Sequence, residues 1–382
     1  MIDTLPRLSA EVSVAETRPE IQLLLCCART HMDAERAEAM KALLRGGIDW
    51  VSVNQTALQH RVTPLLYWNL HATCPEAVPE AILEQLQRRF HAISIRNLFL
   101  VRELLTLLSM LEAHGIPAIP YKGPVLATSV YGNLALRQFK DLDILVREQD
   151  TAHAKDLLLS QGYRLQHQTS ATYEALFRRF RQTYDLMRED DQVLVELHWN
   201  IISWPVFFPA NGMSLWEHLE SVSLADRPVR TLAPEDVLAL LCVHGAKHHW
   251  ERLAMICDVA ELVRTYPKLD WGRVLEQTSR LGGARMLYLG LFLAQNLLGA
   301  TVPEDIWRQM HVDPVVRLLA DRVRSWLFTG PDGLLRTLQQ HAFYLRLAEH
   351  LQDRVWCGLC LTPRMIARVV YYVIAPRARW SD

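Results

Sequence analysis

The spacing of apolar residues changes twice along this chain of 382 residues and divides it into three parts. From position 21 to about 114, apolar residues recur three or four apart, which is the spacing of amphipathic helices. Between 116 and 198 the apolar runs are short and alternate with polar residues, a pattern that favours strands. Helical spacing returns at Pro234. We therefore expect an α+β protein in which a small mixed-sheet α/β core is flanked by N-terminal and C-terminal helical regions.

The same spacing predicts individual elements and domain boundaries. The predicted strands cover 116–121, 142–146, 184–188 and 193–198. The predicted helices of the middle region cover 79–114, 124–131 and 149–161, with 173–180 as a further candidate. We expect three parts: an N-terminal helical region over 1–95, an α/β domain over 96–230 and a C-terminal helical domain over 231–382.

Composition and charge exclude several classes of protein. The chain is 50% apolar and 22% charged, which is typical of a globular rather than a disordered protein. Its 41 Lys and Arg residues are balanced by 42 Asp and Glu residues, so net charge gives no support for a nucleic-acid partner. No apolar run reaches the ~18–20 residues of a membrane span, and the charged first twenty residues do not have the pattern expected of a secretion signal. Because the seven cysteines do not suggest a disulfide framework, we expect a cytoplasmic protein.

Two aspartates at the start of a predicted strand are candidate metal ligands. Asp141 and Asp143 alternate with Leu142 and Ile144, so both carboxylates project from one face while the apolar pair faces the core. Side chains two apart on a strand have bases ~7 Å apart, and their oxygens can converge on ions ~3.5–4 Å from each other. Mg²⁺ binds through such carboxylates, water and substrate phosphates. The alternative is a solvated strand edge whose aspartates bind nothing.

The residues around this pair favour phosphate binding. Gly123 and Pro124 stand where a predicted strand ends and a helix begins, and a helix N-terminus attracts phosphate. Lys122 adds a positive charge, and Arg137 could hold a phosphate through two parallel hydrogen bonds. On the predicted strand 193–198, Glu196 shares one face with His198, so a third carboxylate could complete a two-metal site.

Together these residues resemble the bacterial uncharacterised nucleotidyltransferases of the DNA polymerase beta-like nucleotidyltransferase superfamily. The shared pattern is Lys-Gly, an Arg before Asp-x-Asp, and then Glu-x-His-Trp, with a later helix that contains His-x-x-Lys-His. The likeness covers roughly 96–263. The matching residues are Lys122, Gly123, Tyr131, Gly132, Arg137, Asp141, Asp143, Glu196, His198, Trp199, His244, Lys247, His248, Trp250 and Asp258.

The resemblance implies a nucleotidyltransferase-like core that moves a nucleotidyl group by two-metal chemistry. Asp141 and Asp143 would bind two Mg²⁺ ions, with Mn²⁺ as an alternative, and Glu196 would bind the ion nearer the acceptor. The donor would be a nucleoside triphosphate or another activated phosphate donor, and the acceptor a small molecule, sugar, peptide or protein. The residues expected to contact the bound nucleotide are Lys122, Gly123, Arg137, His198, His244, Lys247 and His248. The alternative is a catalytically silent nucleotide-binding or regulatory module with the same fold.

One motif departs from the superfamily pattern. The Gly-Ser turn usually associated with the phosphates is replaced by Lys122-Gly123. A lysine can hold phosphate in place of a serine hydroxyl, but the change leaves the identity of the donor open.

A second group of candidates follows from helical spacing between 244 and 258. His244, His248, Glu251, Met255 and Asp258 follow steps of four and three, which predicts one helix with these side chains on one stripe. In one interpretation His244 and His248, with Lys247, contact phosphate or acceptor across a cleft. In the other they are buried structural residues.

Zinc binding by the same histidines is a third interpretation of this stripe. The zinc-protease pattern needs a glutamate directly after the first histidine, and Gly245 stands there instead.

A dense basic cluster near the proposed site consists of Arg178, Arg179 and Arg181. In one interpretation the cluster attracts an anionic substrate, and in the other it lies on a solvated helix face.

Overall fold

The computed structural model describes residues 18–166, 182–190, 192–200, 215–280, 283–329, 334–349, 354–355 and 358. The candidate helix 173–180 and the basic cluster at 178–181 lie outside these residues. No helix in the described ranges combines the length and apolar character that a bilayer crossing requires.

The N-terminal part is helical, as the apolar spacing predicts. Its helices are α1 (Pro19–Cys27), α2 (Ala34–Arg45), α3 (Trp50–Gln59), α4 (Thr63–Thr73) and α5 (Glu80–Ala113). Asp33 and Asp49 cap α2 and α3 by accepting hydrogen bonds from the backbone of the first turn. Helix α5 agrees with the predicted helix 79–114 and ends next to Gly115, whose φ of +69° suits glycine.

A mixed five-stranded sheet forms the middle of the chain. The first elements are β1 (Ala118–Pro120), α6 (Pro124–Ser129), β2 (Asp141–Val146) and α7 (Thr151–Ser160). The remaining strands of this sheet are β3 (Arg164–Leu165), β4 (Thr183–Arg188) and β5 (Val193–His198). The strand order is β1-β2-β5-β4-β3, and only the central pair, β2 with β5, is parallel. The predicted α+β class is confirmed.

A small hairpin that the sequence analysis missed follows the sheet. It pairs β6 (Leu219–Leu224) with β7 (Arg227–Leu232). Its two-residue turn, Ala225-Asp226, has positive φ at both positions. Such turns usually carry Asn-Gly or Asp-Gly, so this dipeptide gives no recognisable turn signal.

The C-terminal part is helical again. Its helices are α8 (Pro234–Lys247), α9 (Leu253–Thr265), α10 (Trp271–Arg280), α11 (Ala284–Leu298), α12 (Glu304–Val312), α13 (Pro314–Thr329) and α14 (Leu334–Leu347).

Two hydrophobic cores hold these parts together. One core combines the N-terminal and C-terminal helices, so that Leu23 and Leu66 belong to the same cluster as Leu262 and Leu291. The other core lies between the C-terminal half of α5 and the sheet. Helix α5 contributes residues to both cores. It continues across the position between 95 and 96, where the sequence was expected to have a domain boundary.

The predicted single helix across 244–258 is wrong, because the chain breaks it between α8 and α9. His249 and Trp250 both have φ of +54°, and the Trp250 amide donates to the Gly245 carbonyl at 2.8 Å. The Trp250 ring folds back onto the end of α8 and is fully buried against Gly245 and Gly290. Burial of this large ring in a slot lined by two glycines therefore overrides the helical spacing.

The slot predicts that Gly245→Ala destabilises the protein. A Cβ at this position would lie 2.4–2.5 Å from three atoms of the Trp250 ring, which has no room to move. We expect a loss of about 1–3 kcal/mol in the free energy of unfolding, the range for overpacked cores. Denaturant unfolding monitored by circular dichroism measures it. Gly46→Ala is the matched control, because its Cβ meets only the Leu43 carbonyl oxygen at 3.4 Å.

A buried histidine joins the N-terminal helices to the C-terminal ones. His60 follows α3, and its Nε2 lies 3.0 Å from the Leu327 carbonyl oxygen of α13. Its Nδ1 accepts a hydrogen bond from the Leu253 amide at 3.2 Å, and its carbonyl oxygen accepts one from the Ala254 amide. This pattern requires the neutral ring with hydrogen on Nε2. Burial accordingly lowers the pKa of His60 to about 4.

This junction predicts a loss of stability in mild acid. Between pH 6.5 and about 4 the unfolded chain binds a proton at His60 that the folded chain does not, so stability falls as pH decreases through that window. The full contribution is on the order of 3 kcal/mol. Denaturant unfolding at a series of pH values should show a shallower slope for His60→Gln. His114→Gln makes the same substitution at an exposed position and is the matched control.

Candidate active site

The parallel pairing of β2 with β5 brings two acidic side chains together. The register places Asp143 directly beside Glu196, so both carboxylates project from the same face of the sheet. Asp141 lies two residues earlier on that face, while Leu142 and Ile144 are buried in the core beneath it.

A histidine completes a compact group of potential metal ligands. Each of Asp143, Glu196 and His198 offers a ligand atom, and these three atoms lie within 4.8 Å of one another. His198 Nε2 is 3.4 Å from Asp143 Oδ1 and 3.4 Å from Glu196 Oε2. The His198 ring is 6% exposed, and neither ring nitrogen has a hydrogen bond of ordinary geometry within the described structure.

Lys122 provides the positive charge closest to this group. Its Nζ donates to Asp143 Oδ1 at 3.1 Å and lies 3.4 Å from His244 Nδ1. Tyr121 also donates to Asp143, at 3.3 Å. Gly123 follows with φ of +54°, and a Cβ there would lie 3.3 Å from the Asp141 carbonyl oxygen. Glycine therefore lets this turn approach β2 closely, but α6, which begins after it, has only six residues.

The charges around the acidic residues set their protonation. Burial opposes ionisation of Asp143, but Lys122 and His198 outweigh it and lower the pKa of this carboxyl well below its usual value. Burial also opposes ionisation of Glu196, and the adjacent His198 overcomes it, so the pKa of Glu196 is lowered. Burial and repulsion from Asp143 and Glu196 raise the pKa of Asp141. The two residues paired across the strands are therefore shifted toward the ionised form, whereas Asp141 is shifted away from it.

The three histidines of the cavity differ in the direction in which their pKa is shifted. Burial would lower the pKa of His198, but its contacts with Asp143 and Glu196 outweigh this and raise it. Burial and the nearby Lys122 lower the pKa of His244 well below its usual value, so its ring is neutral beside the lysine. Burial and Lys247 lower the pKa of His248 to about 4.

These residues line a cavity of about 690 Å³ that all three parts of the chain enclose. The cations on its wall are Arg61, Lys122, Arg137, Lys140, Lys247 and Arg252. The acids are Asp141, Asp143, Asp185, Glu196, Glu251 and Asp258. The sequence-predicted residues Gly123, His198, His244 and His248 lie on the same wall. The structure thus places every predicted site residue on one cavity.

Four charged residues of the cavity were not predicted from the sequence: Arg61, Lys140, Asp185 and Arg252. Asp185 lies on β4 directly opposite Glu196, on the same face of the sheet. Its alternation with the core residues Tyr184 and Leu186 is a signal that could have identified it. Arg61 and Arg252 come from helix ends far apart in the sequence, and no spacing pattern links them to the carboxylates.

Arg137 forms an ion pair with Asp258 of α9. Its Nε and Nη2 each donate to Asp258 at 2.8 Å, and Tyr131 donates to the same carboxylate at 2.7 Å. Asn97 of α5 donates to the carbonyl oxygens of Leu134 and Arg137. These bonds fix the loop that leads into Asp141.

Of the described residues, the set whose ligand atoms converge is Asp143, Glu196 and His198. His244, His248 and Glu251 do not form such a group in the part of the chain that is described, although the rings of the two histidines lie 4.6 Å apart. The zinc interpretation of this pair therefore has no support in the geometry.

A family model described as "Uncharacterised nucleotidyltransferase" matches residues 46–299. The chain belongs to this family. The nucleotidyltransferase class expected from the sequence is confirmed, and the match extends on both sides of the 96–263 over which motifs were recognised. No curated protein matches the chain.

Two solved structures are similar to parts of the chain. The antibiotic-resistance factor ANT(2'')-Ia is 12% identical, covers 48% of this chain and 91% of its own, and has a TM-score of 0.34. An antigenic nucleotidyltransferase-like protein from Paracoccidioides brasiliensis is 15% identical, covers 57% of this chain and 96% of its own, and has a TM-score of 0.31. The classification of the nucleotidyltransferase rests on the family match.

The buried ion pair predicts that Arg137→Met destabilises the fold. Removing the guanidinium leaves Asp258, which is 5% exposed, without its paired charge. We expect the free energy of unfolding to fall by roughly 3–5 kcal/mol, the cost of breaking a buried pair from one side. Thermal and denaturant unfolding measure this. Arg324→Met, which removes an exposed ion pair with Asp321 on α13, is the control and should change little.

Proposed function

We propose that this nucleotidyltransferase is Mg²⁺-dependent and transfers a nucleotidyl group from a nucleoside triphosphate to an acceptor in the 690 Å³ cavity. The observation that supports this most is the register pairing of Asp143 with Glu196 on the cavity wall. We assign divalent-ion binding to these two residues and to Asp141. Two such ions would neutralise charge at the reacting phosphate and lower the pKa of an acceptor hydroxyl.

The side chains present fit a divalent ion. The lowered pKa values of Asp143 and Glu196 make both carboxylates ionised at neutral pH, as ligands must be. His198 adds a nitrogen donor whose ring is buried without a conventional hydrogen bond. Imidazole is a better ligand for Mn²⁺ and the later transition metals than for Mg²⁺, so this donor supports Mn²⁺ as an alternative ion.

The phosphate contacts are assigned to the cations and polar groups around the carboxylates. Lys122 Nζ is held beside Asp143 by the neutral ring of His244, and we propose it as a triphosphate contact in place of the missing serine. The bonds of Arg137 to Asp258 use Nε and Nη2, so we propose that Nη1 contacts a phosphate. Lys247 and His248 extend the set on the wall that α8 provides.

The acceptor is proposed to be a small molecule, sugar, peptide or protein that enters the same cavity. A nucleic-acid acceptor has no support in the charge balance of the chain, which is −1 overall.

The proposal is tested by measuring which labelled phosphate of the donor is transferred. Each nucleoside triphosphate, labelled either at the α- or at the γ-phosphate, is incubated with the protein, Mg²⁺ or Mn²⁺, and a cell extract. We expect label to be transferred from the α-position with release of pyrophosphate. Transfer of only the γ-label would indicate a kinase. Binding of nucleotide with no transfer from either position would favour the silent regulatory module.

The ligand assignment predicts that Asp143→Asn weakens divalent-ion binding by at least about 100-fold, since loss of an outer-shell partner alone costs 10–100-fold. Calorimetric titration with Mn²⁺ and Mg²⁺ measures the affinity independently of turnover. Asp156→Asn makes the same chemical change at an exposed site of α7 and should bind like the wild type. Equal affinity in Asp143→Asn and the control would contradict the assignment.

A further inference from the structure

The N-terminal helices contribute an arginine to the cavity. Arg61 lies between α3 and α4 on the cavity wall, half-buried. Its guanidinium has no hydrogen bond or ion pair within the described residues, whereas Lys122 pairs with Asp143 and Arg137 with Asp258. A cation that is partly removed from water and has no fixed partner is suited to an anionic ligand.

The backbone at Arg61 adopts a conformation that favours glycine. Its φ is +57°, and the Val62 amide donates to the Ala57 carbonyl oxygen at 2.9 Å, closing the end of α3. Helices that end in this way most often carry glycine at the left-handed position. Arginine here is conformationally unfavourable, so its presence is not explained by the turn.

Neighbouring hydrogen bonds hold Arg61 in place. The preceding residue, His60, is 1% exposed and bonds to the start of α9 and the end of α13. The same bonds bring Arg252, which directly precedes α9, to the same part of the cavity. Arg252 lies 3.5 Å from Glu251 and remains one-third exposed.

Two arginines and two acidic residues set the charge environment of Arg61. Burial and repulsion from Arg252 lower the pKa of Arg61, with a smaller contribution from Arg137. Asp141 and Glu251 act in the opposite direction but do not compensate. Grouping of guanidinium groups in a partly buried cavity is unfavourable until an anion enters between them.

We propose that Arg61 and Arg252 form a phosphate-binding subsite of the cavity, contributed by the N-terminal helices and the start of α9. Arginine is suited to this role because its planar guanidinium donates two parallel hydrogen bonds to phosphate oxygens. The inference rests on the proposed function in one respect, namely that the substrates carry phosphate. The phosphate belongs either to the triphosphate of the donor or to a phosphorylated acceptor.

The test uses Arg61→Asn in the full-length protein, with inorganic phosphate and tripolyphosphate as probes. Asparagine tolerates the left-handed backbone better than arginine, so we expect the variant to unfold at the same temperature as the wild type or higher. Its affinity for tripolyphosphate, measured by calorimetry without metal, should fall on the order of tenfold. Arg88→Asn removes an arginine that is 71% exposed on α5 and should leave the affinity unchanged.

The outcomes separate the alternatives. Tripolyphosphate affinity equal in Arg61→Asn and wild type, or no binding of either anion by the wild type, overturns the subsite. If the subsite is supported, a non-hydrolysable nucleoside triphosphate identifies which substrate carries the phosphate. If Arg61→Asn binds this nucleotide as much more weakly as it binds tripolyphosphate, the subsite is assigned to the donor. If its affinity for the nucleotide is unchanged, the subsite is assigned to the acceptor. If Arg61→Asn loses anion binding and the wild type transfers no α-label, the subsite is retained and the proposed reaction is rejected.

Discussion

The central constraint in this structure is the placement of two carboxylates side by side on adjacent parallel strands. Asp143 and Glu196 cannot both be ionised in a partly buried position unless nearby positive charge compensates them. Lys122 supplies positive charge 3.1 Å from Asp143, and His198, which lies 3.4 Å from both carboxylates, also lowers their pKa values. Two further residues position Lys122. The close turn at Gly123 determines the path of the backbone next to it, and the neutral ring of His244 lies beside its ammonium group.

The helical regions complete the site around the sheet. The sheet presents the carboxylates, but much of the cavity wall comes from α8, α9 and the junction between α3 and α4. Because the N-terminal and C-terminal helices share one hydrophobic core, these walls are positioned as a unit. The ion pair of Arg137 with Asp258 then attaches that unit to the loop before β2, and the bonds of His60 join its N-terminal helices to its C-terminal helices.

Local patterns were sufficient to predict much of the fold. Strand β5 has the predicted bounds because an apolar run leads into the alternation of Glu196 and His198 with Leu197, and α5 has a long apolar stripe with a glycine after its end. The break after α8 could not be predicted, because it depends on the Trp250 ring finding space beside Gly245 and Gly290, which are far apart in sequence. The hairpin β6–β7 was missed because its turn lacks the usual residues.

The same distinction applies to the site. The alternation at 141–143 and 196–198 predicted which side chains share a face, because strand geometry alone determines it. Pairing β2 with β5 in one register is a tertiary event, and it decides that Asp143 rather than Asp141 lies next to Glu196. The position of Arg61 depends on the hydrogen bonds of His60 to the start of α9 and the end of α13, and nothing in the adjacent sequence indicates that Arg61 reaches the cavity.

The long helix α5 also determines how this protein can be divided for further work. It covers the helical core with its first half and the sheet with its second half, without interruption at 95–96. A fragment that starts at Arg96 would expose apolar surface of the first core and shorten the helix that contributes to both cores. Fragments that preserve either folding unit should therefore keep Glu80–Ala113 whole, with ends placed before Pro79 or after Gly115.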